Sequence, residues 1–448
     1  MRTNLAATCA AAAIAAILLA SPAHAADESG IPAARAEGWL VQSYGQIAIA
    51  AAPKNNAEER AALKAITAKR TADDLARFRW WATGGSVHRW NEVMLDELQE
   101  GFVTLPLAAR HLALFHAALD DAVAVARHNA RAARPATVDV ALSGPGAKPT
   151  SPSEHAAAAA AAAEILAYFF PARAALIAAR AEEAMQVRLR AGVEFPAEIA
   201  AGRTIGQKIA ALAIARGKAD RSDAKWSGNG PEGPGKWKGT NPIAPLAGTW
   251  QTWVLAQANE FRPPAPPAFD SEQIKADLNE LKTFARTPKS NHRATYWEVH
   301  GGARAHTLWN EIARTKLLEH GASAQASSRV LAAVNIALAD VGTACWEAKY
   351  TYWHIRPAQL DAELKTVFPA PNHPSYPAAH GCYSTAAATV IAAMFPHERD
   401  RVLALGKEAA EARVWAGIHY RTDINAGQEL GRKVAERTLE RAFGPRTQ

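Results

Sequence analysis

The sequence predicts an all-α protein built from two packed helical bundles. Alanine-rich stretches place apolar residues three or four positions apart, as at Leu112, Phe115 and Leu119, which is the spacing of one helix face. No stretch of useful length alternates apolar and polar residues as a half-buried strand does. A segment rich in Gly, Pro and Trp separates two helical regions, so we expect two bundles.

Composition excludes several classes of protein. The chain has 448 residues, of which 49% are hydrophobic and 21% charged, so it can form substantial cores and is too apolar to be mostly disordered. Three cysteines are too few for a disulfide scaffold. The formal charge of +7 suggests an anionic partner without identifying it. No basic run is interleaved with aromatic residues, so nucleic acid is not an expected partner.

Residues 1–25 are predicted to be a cleavable export signal. Arg2 precedes an apolar run, and Ala23 and Ala25 supply the small residues of a cleavage site before Ala26. A membrane anchor is the alternative, but the run is short for a membrane span. We therefore expect an exported protein, periplasmic or extracellular, with no membrane span in the mature chain.

The mature chain divides into three predicted regions. Residues 26–222 are expected to form the N-terminal helical bundle. Residues 223–270 contain GNGPEGPGKWKGTNPIAP and FRPPAPPAF, which cannot continue a helix and are expected to connect the bundles across the surface. Helical patterning then resumes, and residues 271–448 are expected to form the C-terminal bundle. The sequence leaves the oligomeric state open.

Three segments of the C-terminal region place cationic or imidazole side chains near predicted helix ends. The first is KYTYWHIRP, from Lys349 to Pro357. Lys349 and Arg356 are seven residues apart, so on one helix both would project from one face before Pro357 ends it. They could be a solvated basic pair, but their aromatic and apolar neighbours favour burial.

The second segment, PSYPAAHG, precedes an alanine-rich helical run. Pro377 is suited to the start of that helix, which would leave the amides of residues 378–380 as free donors. A helix N-terminus of this kind is a ready anion site. His380 would stand in its first turn, although a histidine there is, on its own, more often structural than catalytic.

The third segment, ARVWAGIHYRTD, contains Arg413, His419 and Asp423. His419 and Asp423 are four residues apart, so on one helix the carboxylate would accept the imidazole hydrogen and leave the other nitrogen as nucleophile or ligand. Gly417 would allow the change of direction that brings Arg413 and His419 together. Alone, the pair could be an ordinary contact on a helix surface.

Together, the three segments supply groups that can hold a tetrahedral oxyanion and attack it. In order and spacing they resemble the superfamily of type 2 phosphatidic acid phosphatases, bacterial acid phosphatases and vanadium-dependent haloperoxidases, whose motifs are K-x6-R-P, P-S-G-H and S-R-x5-H-x3-D. The ARHLALFHAALDDA, PGKWKGTNPIAPLAGTW, FRPPAPP and ADVGTACWEAKYTYWHIRP stretches are similar to the secreted bacterial haloperoxidase-like branch. The resemblance therefore covers most of the mature chain.

The resemblance implies a cage of side chains around one oxyanion in the C-terminal bundle. The binding groups of this cage would be Lys349, Arg356, the Ala379 amide, His380, Arg413 and His419. The catalytic residues would be His419, His380, Asp423 and Lys349. In a haloperoxidase the cage would hold vanadate as cofactor, with His419 bound to vanadium, Lys349 polarising the peroxide, and halide as the other substrate.

Two alternatives remain open beside the favoured haloperoxidase-like reading. An acid phosphatase would need no cofactor: His419 would attack a phosphoester to form a phosphohistidine, and His380 would protonate the leaving oxygen. A non-catalytic periplasmic oxyanion-binding protein is the third hypothesis. It rests on Ala378 and Ala412, which replace family serines, since each lost hydroxyl removes a hydrogen bond worth about 1–3 kcal/mol. Ala379, at the family's Gly position, keeps its amide.

The implied cage also predicts a contact between two cysteines. Cys345 lies one turn before Lys349, and Cys382 lies two residues after His380. The cage would bring their helices together, which would allow a disulfide in an oxidising compartment, and the sequence leaves open whether the two cysteines pair.

Overall fold

The protein is described by a computed structural model over residues 30–49, 57–101, 103–130 and 150–445. The predicted export signal, residues 1–25, lies outside these ranges, so its cleavage stays a prediction. Within them the chain forms α-helices and loops without a β-strand, which confirms the all-α class. The helices α1 to α15 are, in order, Ala57–Thr67, Ala72–Ala82, His88–Glu100, Leu105–His128, Glu154–Phe169, Ala174–Ala191, Pro196–Ala219, Glu272–Thr283, Pro288–Glu298, Ala305–Glu319, Ala324–Tyr352, Pro357–Leu360, Ala379–Met394, Arg399–Ala416 and Arg421–Phe443.

Small residues bring α5 and α7 into close contact. The α5 residues from Ala156 to Ala162 are all buried. On α7, a Cβ atom added to Gly202 would lie 2.2 Å from the carbonyl oxygen of Ser153, and one added to Gly206 would lie 2.3 Å from that of Ala157. Any larger side chain at either glycine would push the two helices apart.

The helices α4 and α11 pack against each other and are largely buried. Leu112, Phe115 and Leu119, the predicted apolar face of α4, share one buried core with Val330 and Leu338 of α11. The N-terminal and C-terminal helices are therefore joined by a continuous apolar core. The division of the chain into two bundles stays a prediction.

Among the described residues, α11 is long and apolar enough to cross a membrane. However, 94% of its most apolar stretch is buried inside the protein. A core helix that is apolar on every face has the same composition.

The Gly/Pro/Trp-rich connecting segment, residues 223–270, runs along the surface and is tied to the end of α11. The amide of Trp237 donates to the carbonyl oxygen of Trp353 at 2.7 Å, and the amide of Ile355 donates to Gly235 at 3.0 Å. The carbonyl oxygen of Ile243 accepts from the indole of Trp346 at 3.0 Å. These contacts place Ile243 beside the predicted site.

Glycines also let α15 approach the start of α13. A Cβ atom added to Gly427 would lie 2.5 Å from the carbonyl oxygen of Ala378, and one added to Gly431 would lie 2.6 Å from that of Cys382. The amide of Ala378 donates to the carbonyl oxygen of Asp423 at 2.9 Å. The first turns of α13 and α15 therefore lie side by side.

Candidate oxyanion site

Five chain segments meet beside the first turns of α13 and α15. They contribute the side chains of Lys349, Arg356, His380, Arg413 and His419, which are at most 5% exposed. Residues that are widely separated in the sequence are thus gathered in one buried region, as the three motifs predicted.

Hydrogen bonds determine which nitrogen of His419 carries a hydrogen. Nη1 of Arg356 donates to Nε2 of His419 at 2.9 Å, and Nδ1 of His419 lies 2.8 Å from Oδ2 of Asp423. Because arginine can only donate, Nε2 holds a lone pair and Nδ1 donates to the carboxylate. Burial, reinforced by Arg356 and Lys349, holds the pKa of His419 well below its usual value. The ring is therefore neutral, and its Nε2 carries no hydrogen of its own while its lone pair accepts one from Arg356.

The structure corrects the expected geometry of the His419–Asp423 pair. The two residues do not share a helix, because α15 begins at Arg421 and His419 precedes it. Asp423 is the third residue of α15 and accepts from the amide of Tyr420 at 3.1 Å. A carboxylate at this position commonly turns back to cap the helix. The contact was predicted correctly, but capping rather than helical spacing produces it.

The expectation that Lys349 and Arg356 project from one helix face is wrong. The α11 helix ends at Tyr352, and Trp353 has a left-handed backbone with φ of 52°. Arg356 lies in the extended chain before α12. The spacing of apolar and aromatic residues in this segment cannot predict that a left-handed residue, Trp353, ends the helix before Arg356.

Gly417 makes the predicted change of direction between Arg413 and His419. It ends α14 with φ of 78°, a conformation that only glycine adopts without strain. The amide of Ile418 then donates to the carbonyl oxygen of Arg413 at 3.1 Å. The resulting turn carries the chain back toward the end of α14.

Two groups on α9 hold Arg413 in place. Its Nη1 donates to the carboxylate of Glu298, and its Nη2 donates to the carbonyl oxygen of Ala294 at 2.8 Å. Its Nε is buried without a hydrogen-bond partner, so one N–H is available to a ligand. Burial lowers the pKa of Arg413 to about 10, although Glu298 opposes this shift. The guanidinium stays charged at neutral pH.

Lys349 does not offer the cage a free donor. Its Nζ donates to the carbonyl oxygens of Pro374, Ser375 and Pro377. An ammonium has three hydrogens, so these carbonyls use all of them. Burial lowers the pKa of Lys349 to about 8. The implied direct role in binding the oxyanion therefore does not match this arrangement, in which Lys349 holds the loop before α13.

His380 is held by the backbone of α9. Its Nε2 lies 2.9 Å from the carbonyl oxygen of Trp297, which can only accept, so Nε2 carries the hydrogen and Nδ1 the lone pair. Burial, reinforced by Arg413, keeps the pKa of His380 well below its usual value. The neutral ring is suited to accept a proton at Nδ1, and acting as an acid would require a second proton.

The alanines at the family's serine positions pack in apolar surroundings. Ala378 belongs to a buried cluster with Leu281 and Val414, and Ala412 packs with Trp297. The amide of Ala379 lies in the first turn of α13, where no helical carbonyl is available to it. The site thus keeps the backbone donor of α13 and has apolar contacts where the family has two hydroxyls.

The disulfide that the cage would allow is absent. Cys345 and Cys382 are buried free thiols. Burial, together with contact with Cys345, raises the pKa of the Cys382 thiol well above its usual value. The helices meet as expected. Burial acts to raise the pKa of the Cys345 thiol, but contact with Cys382 and the charge of Lys349 lower it.

The motif-bearing part of the chain matches a family model. This match is to the PAP2 superfamily and covers residues 329–436, the range that holds every predicted site residue. Residues 329–436 belong to the PAP2 superfamily. The superfamily named by the resemblance is therefore confirmed. The comparison with curated proteins finds no match.

The likeness to solved structures extends beyond the PAP2 segment. The crystal structure of the first bacterial vanadium-dependent iodoperoxidase matches with a TM-score of 0.62 at 19% identity, covering 82% of this chain and 99% of that one. A holo-type bacterial vanadium-dependent chloroperoxidase matches with a TM-score of 0.58 at 14% identity, covering 75% and 91%. At these identities, the likeness shows a shared fold.

A cavity of about 390 Å³ opens beside the PAP2 segment's site. Ala379, His380 and His419 line one side of it. Residues of α3, of the loop that follows it and of the start of α4 also line it, as do Ile243 of the connecting segment and Trp346 of α11. The cavity is therefore built from distant parts of the chain, and motif spacing could not reveal it.

Several groups around this cavity suit a vanadate-sized oxyanion. Ala379 and His419, which line the cavity, offer the amide at the start of α13 and the Nε2 lone pair. Arg413, with its orphaned Nε, is a neighbouring donor that is not itself a lining residue. Arg356 already donates to His419 Nε2 at 2.9 Å. These residues fit vanadate, whereas Lys349 as arranged does not contribute.

Sequence reasoning missed Ser375 and Glu298. The hydroxyl of Ser375 donates to Oδ2 of Asp423 at 2.5 Å and supports the orientation of His419. Ser375 lies in the second motif segment, so its hydroxyl could have been considered as a hydrogen-bond donor to the site from the sequence alone. Glu298 is 115 residues from its partner Arg413, and no local pattern links the two. His373, also in the cavity wall, accepts from Arg356 at 3.1 Å.

Proposed function

We propose that the protein is an exported, vanadium-dependent haloperoxidase-like enzyme that uses peroxide to oxidise halide. The observation that carries this proposal is the Nε2 lone pair of His419, held without hydrogen beside Arg356 and the first turn of α13. The likeness in fold to a bacterial vanadium-dependent iodoperoxidase and a bacterial vanadium-dependent chloroperoxidase supports it. Export rests on the sequence of residues 1–25.

The residues of the cage other than Lys349 each have a role in this function. His419 would ligate vanadium through Nε2, while Asp423 and Ser375 hold its ring in the required tautomer. Arg356 and Arg413 would neutralise the charge of vanadate, and the Ala379 amide would donate to one of its oxygens. Vanadate, when bound, supplies the Lewis acidity that activates peroxide toward halide.

His380 would act as a proton acceptor. Its Nδ1 holds a lone pair because Nε2 donates to Trp297, and burial keeps the ring neutral. A neutral imidazole beside the cage can take a proton from incoming peroxide. A neutral His380 is ready to accept a proton from peroxide, whereas it would first have to be protonated before it could protonate a leaving group.

The second candidate is acid phosphatase activity, which the His419–Asp423 contact of 2.8 Å favours. The same Nε2 lone pair could attack a phosphoester and form a phosphohistidine. His380 would then have to enter the reaction protonated. Arg356 and Arg413 would neutralise the transferred phosphoryl group.

Paired assays on one preparation distinguish the hypotheses. The vanadate-loaded protein is assayed for peroxide-dependent iodide and bromide oxidation, and the vanadate-free protein for aryl phosphate hydrolysis. We expect vanadate-dependent halide oxidation. Phosphatase activity without halide oxidation would overturn the haloperoxidase proposal in favour of the phosphatase. Tight vanadate or phosphate binding with neither activity would establish a non-catalytic binder.

Replacing His419 tests the site itself. We expect His419→Ala to lose at least about 100-fold of the activity that the wild type shows, since the reacting nitrogen is removed. His397 is exposed and remote from the site's hydrogen bonds, so His397→Ala is the matched control and should keep wild-type activity. Equal activity in both variants would show that the site is misassigned.

A further inference from the structure

Two thiols meet beneath the first turn of α13, and the proposed function uses neither of them. Cys345 of α11 and Cys382 of α13 are free and fully buried. Their side chains contact each other, because α11 and α13 pack together at this level. Two cysteines in contact on neighbouring helices are placed to form a disulfide without a large movement of the backbone.

The surroundings of the two thiols differ. The Sγ of Cys345 lies 3.9 Å from the carbonyl oxygen of Pro377, which also accepts from Nζ of Lys349. The ammonium charge is therefore close to Cys345 and favours its thiolate. Burial opposes this ionisation, but contact with Cys382 and the charge of Lys349 leave the pKa of Cys345 below its usual value, whereas burial raises the pKa of Cys382. Cys345 is thus the thiol suited to attack an oxidant.

Both cysteines lie within one helical turn of the cavity wall. Trp346 directly follows Cys345, and Ala379 precedes Cys382 by three residues. Trp346 and Ala379 both line the cavity, and so does the exposed Arg304, so a small solute can enter the cavity from solvent. Hydrogen peroxide, the oxidant of the proposed function, is such a solute and is brought to within one turn of the thiol pair.

We propose that Cys345 and Cys382 are a peroxide-oxidised thiol pair, which forms a reversible disulfide between α11 and the first turn of α13. The inference takes its oxidant from the proposed function but requires neither vanadate nor halide oxidation. The disulfide fastens the turn that carries the Ala379 amide to the helix that carries Lys349. The oxyanion site is thereby held together while peroxide is present.

The reaction consumes one peroxide for each disulfide. The Cys345 thiolate attacks one peroxide oxygen, an S–O bond forms, and the O–O bond breaks. The hydroxide that leaves takes up the proton released by Cys345 and becomes water, so Cys345 is now a sulfenic acid. The sulfur of Cys382 then attacks the sulfenic sulfur, and the S–S bond forms as the S–O bond breaks. The second hydroxide takes the Cys382 proton as a second water, and the two sulfurs have lost the two electrons that peroxide gained.

Peptide mapping tests the reaction on the full-length protein without vanadate or halide, so its outcome is independent of the haloperoxidase proposal. The reduced protein is treated with hydrogen peroxide, alkylated with iodoacetamide in denaturant, and digested for mass spectrometry. We expect a linked peptide pair that joins Cys345 to Cys382, lacks two hydrogens relative to the separate peptides, and is separated by dithiothreitol. Two alkylated thiols after treatment, irreversible oxidation without a disulfide, or a disulfide to Cys9 would overturn the proposal.

Two variants test which thiol attacks peroxide. Cys382→Ala removes the second thiol, so oxidation should stop at a sulfenic acid on Cys345, which dimedone captures. In Cys345→Ala, the remaining Cys382 should give much less dimedone adduct, because its thiol stays protonated. Labelling of Cys382 that equals or exceeds that of Cys345 would overturn the assignment of the attacking thiol. Circular dichroism of the reduced variants reports whether each keeps the wild-type fold.

Thermal unfolding provides a readout that does not depend on labelling. A disulfide between α11 and α13 restricts the unfolded chain, so peroxide should raise the thermal midpoint of the wild type, and dithiothreitol should reverse the rise. Cys382→Ala is the matched control, since it meets the same peroxide but cannot form the disulfide, and its midpoint should not rise. An equal rise in the control, or no rise in the wild type, contradicts the proposal that the disulfide fastens α13 to α11.

Discussion

At the residue scale, hydrogen-bond partners decide which atoms of the site can react. Arg356 and Asp423 leave the lone pair of His419 on Nε2, and the Trp297 carbonyl leaves that of His380 on Nδ1. Both rings are neutral because burial lowers the pKa of each. The sequence predicted the His419–Asp423 contact, but the partner of His380 comes from α9 and was not predictable from local spacing.

Lys349 is expected to act as a positioning residue for the loop before α13. Lys349→Met would leave three buried carbonyl oxygens without their donor, and unsatisfied buried groups cost about 1–3 kcal/mol each. We expect the free energy of unfolding to fall by about 3 kcal/mol or more, measured by urea denaturation. Phosphate or vanadate affinity should fall as well, because the loop leads directly into the anion-binding turn.

A surface lysine provides the control for this change. Lys433 on α15 is half-buried, with its Nζ 3.4 Å from Glu429, a contact of the kind that contributes at most about 1 kcal/mol. Lys433→Met should therefore leave both stability and oxyanion affinity nearly unchanged. If Lys349→Met is as stable as Lys433→Met, the three carbonyl contacts do not hold the loop.

At the element scale, the turn at the end of α14 brings Arg413 and His419 together. Gly417 has φ of 78°, and an added Cβ would lie 2.5 Å from Nη2 of Arg286. An L-residue in this conformation costs about 1–2 kcal/mol. We expect Gly417→Ala to lower stability by about that amount and also to weaken vanadate binding, measured by calorimetry.

Gly192 is the control position that separates the cost of backbone strain from an effect on the geometry of the site. It ends α6 with φ of 79°, nearly the same backbone as Gly417, and its added Cβ would meet only Thr67 at 3.2 Å. Gly192→Ala should lose similar stability without any change in vanadate affinity. Equal affinities in the two alanine variants would show that the Gly417 turn does not shape the site.

At the scale of the whole molecule, buried neutral histidines should make stability fall in mild acid. Lowered pKa values, with burial as the largest cause, are found at His88, His111, His116, His306, His354, His373, His380 and His419. Unfolded histidine titrates near pH 6.5, whereas burial lowers the pKa of His306 to about 4. Between these values the unfolded chain binds more protons, so acid favours unfolding.

Buried carboxyls act in the opposite direction but are fewer. Burial raises the pKa of Asp121 to about 7 and that of Asp340 to about 6, so protonation in this range favours the folded state. We expect the histidines to prevail, with a lower urea midpoint at about pH 5 than at about pH 7. An equal or higher midpoint at the lower pH would contradict this balance.

The sequence by itself determined the all-α class, because helical periodicity is local. It also determined the residues that meet in the PAP2 segment, because motif order and spacing are carried along the chain. Only the tertiary structure decided that Lys349 faces backbone carbonyls, that Glu298 holds Arg413, and that an apolar cavity adjoins the cage. These features depend on groups brought together from distant segments, and packing rather than local spacing chooses such partners.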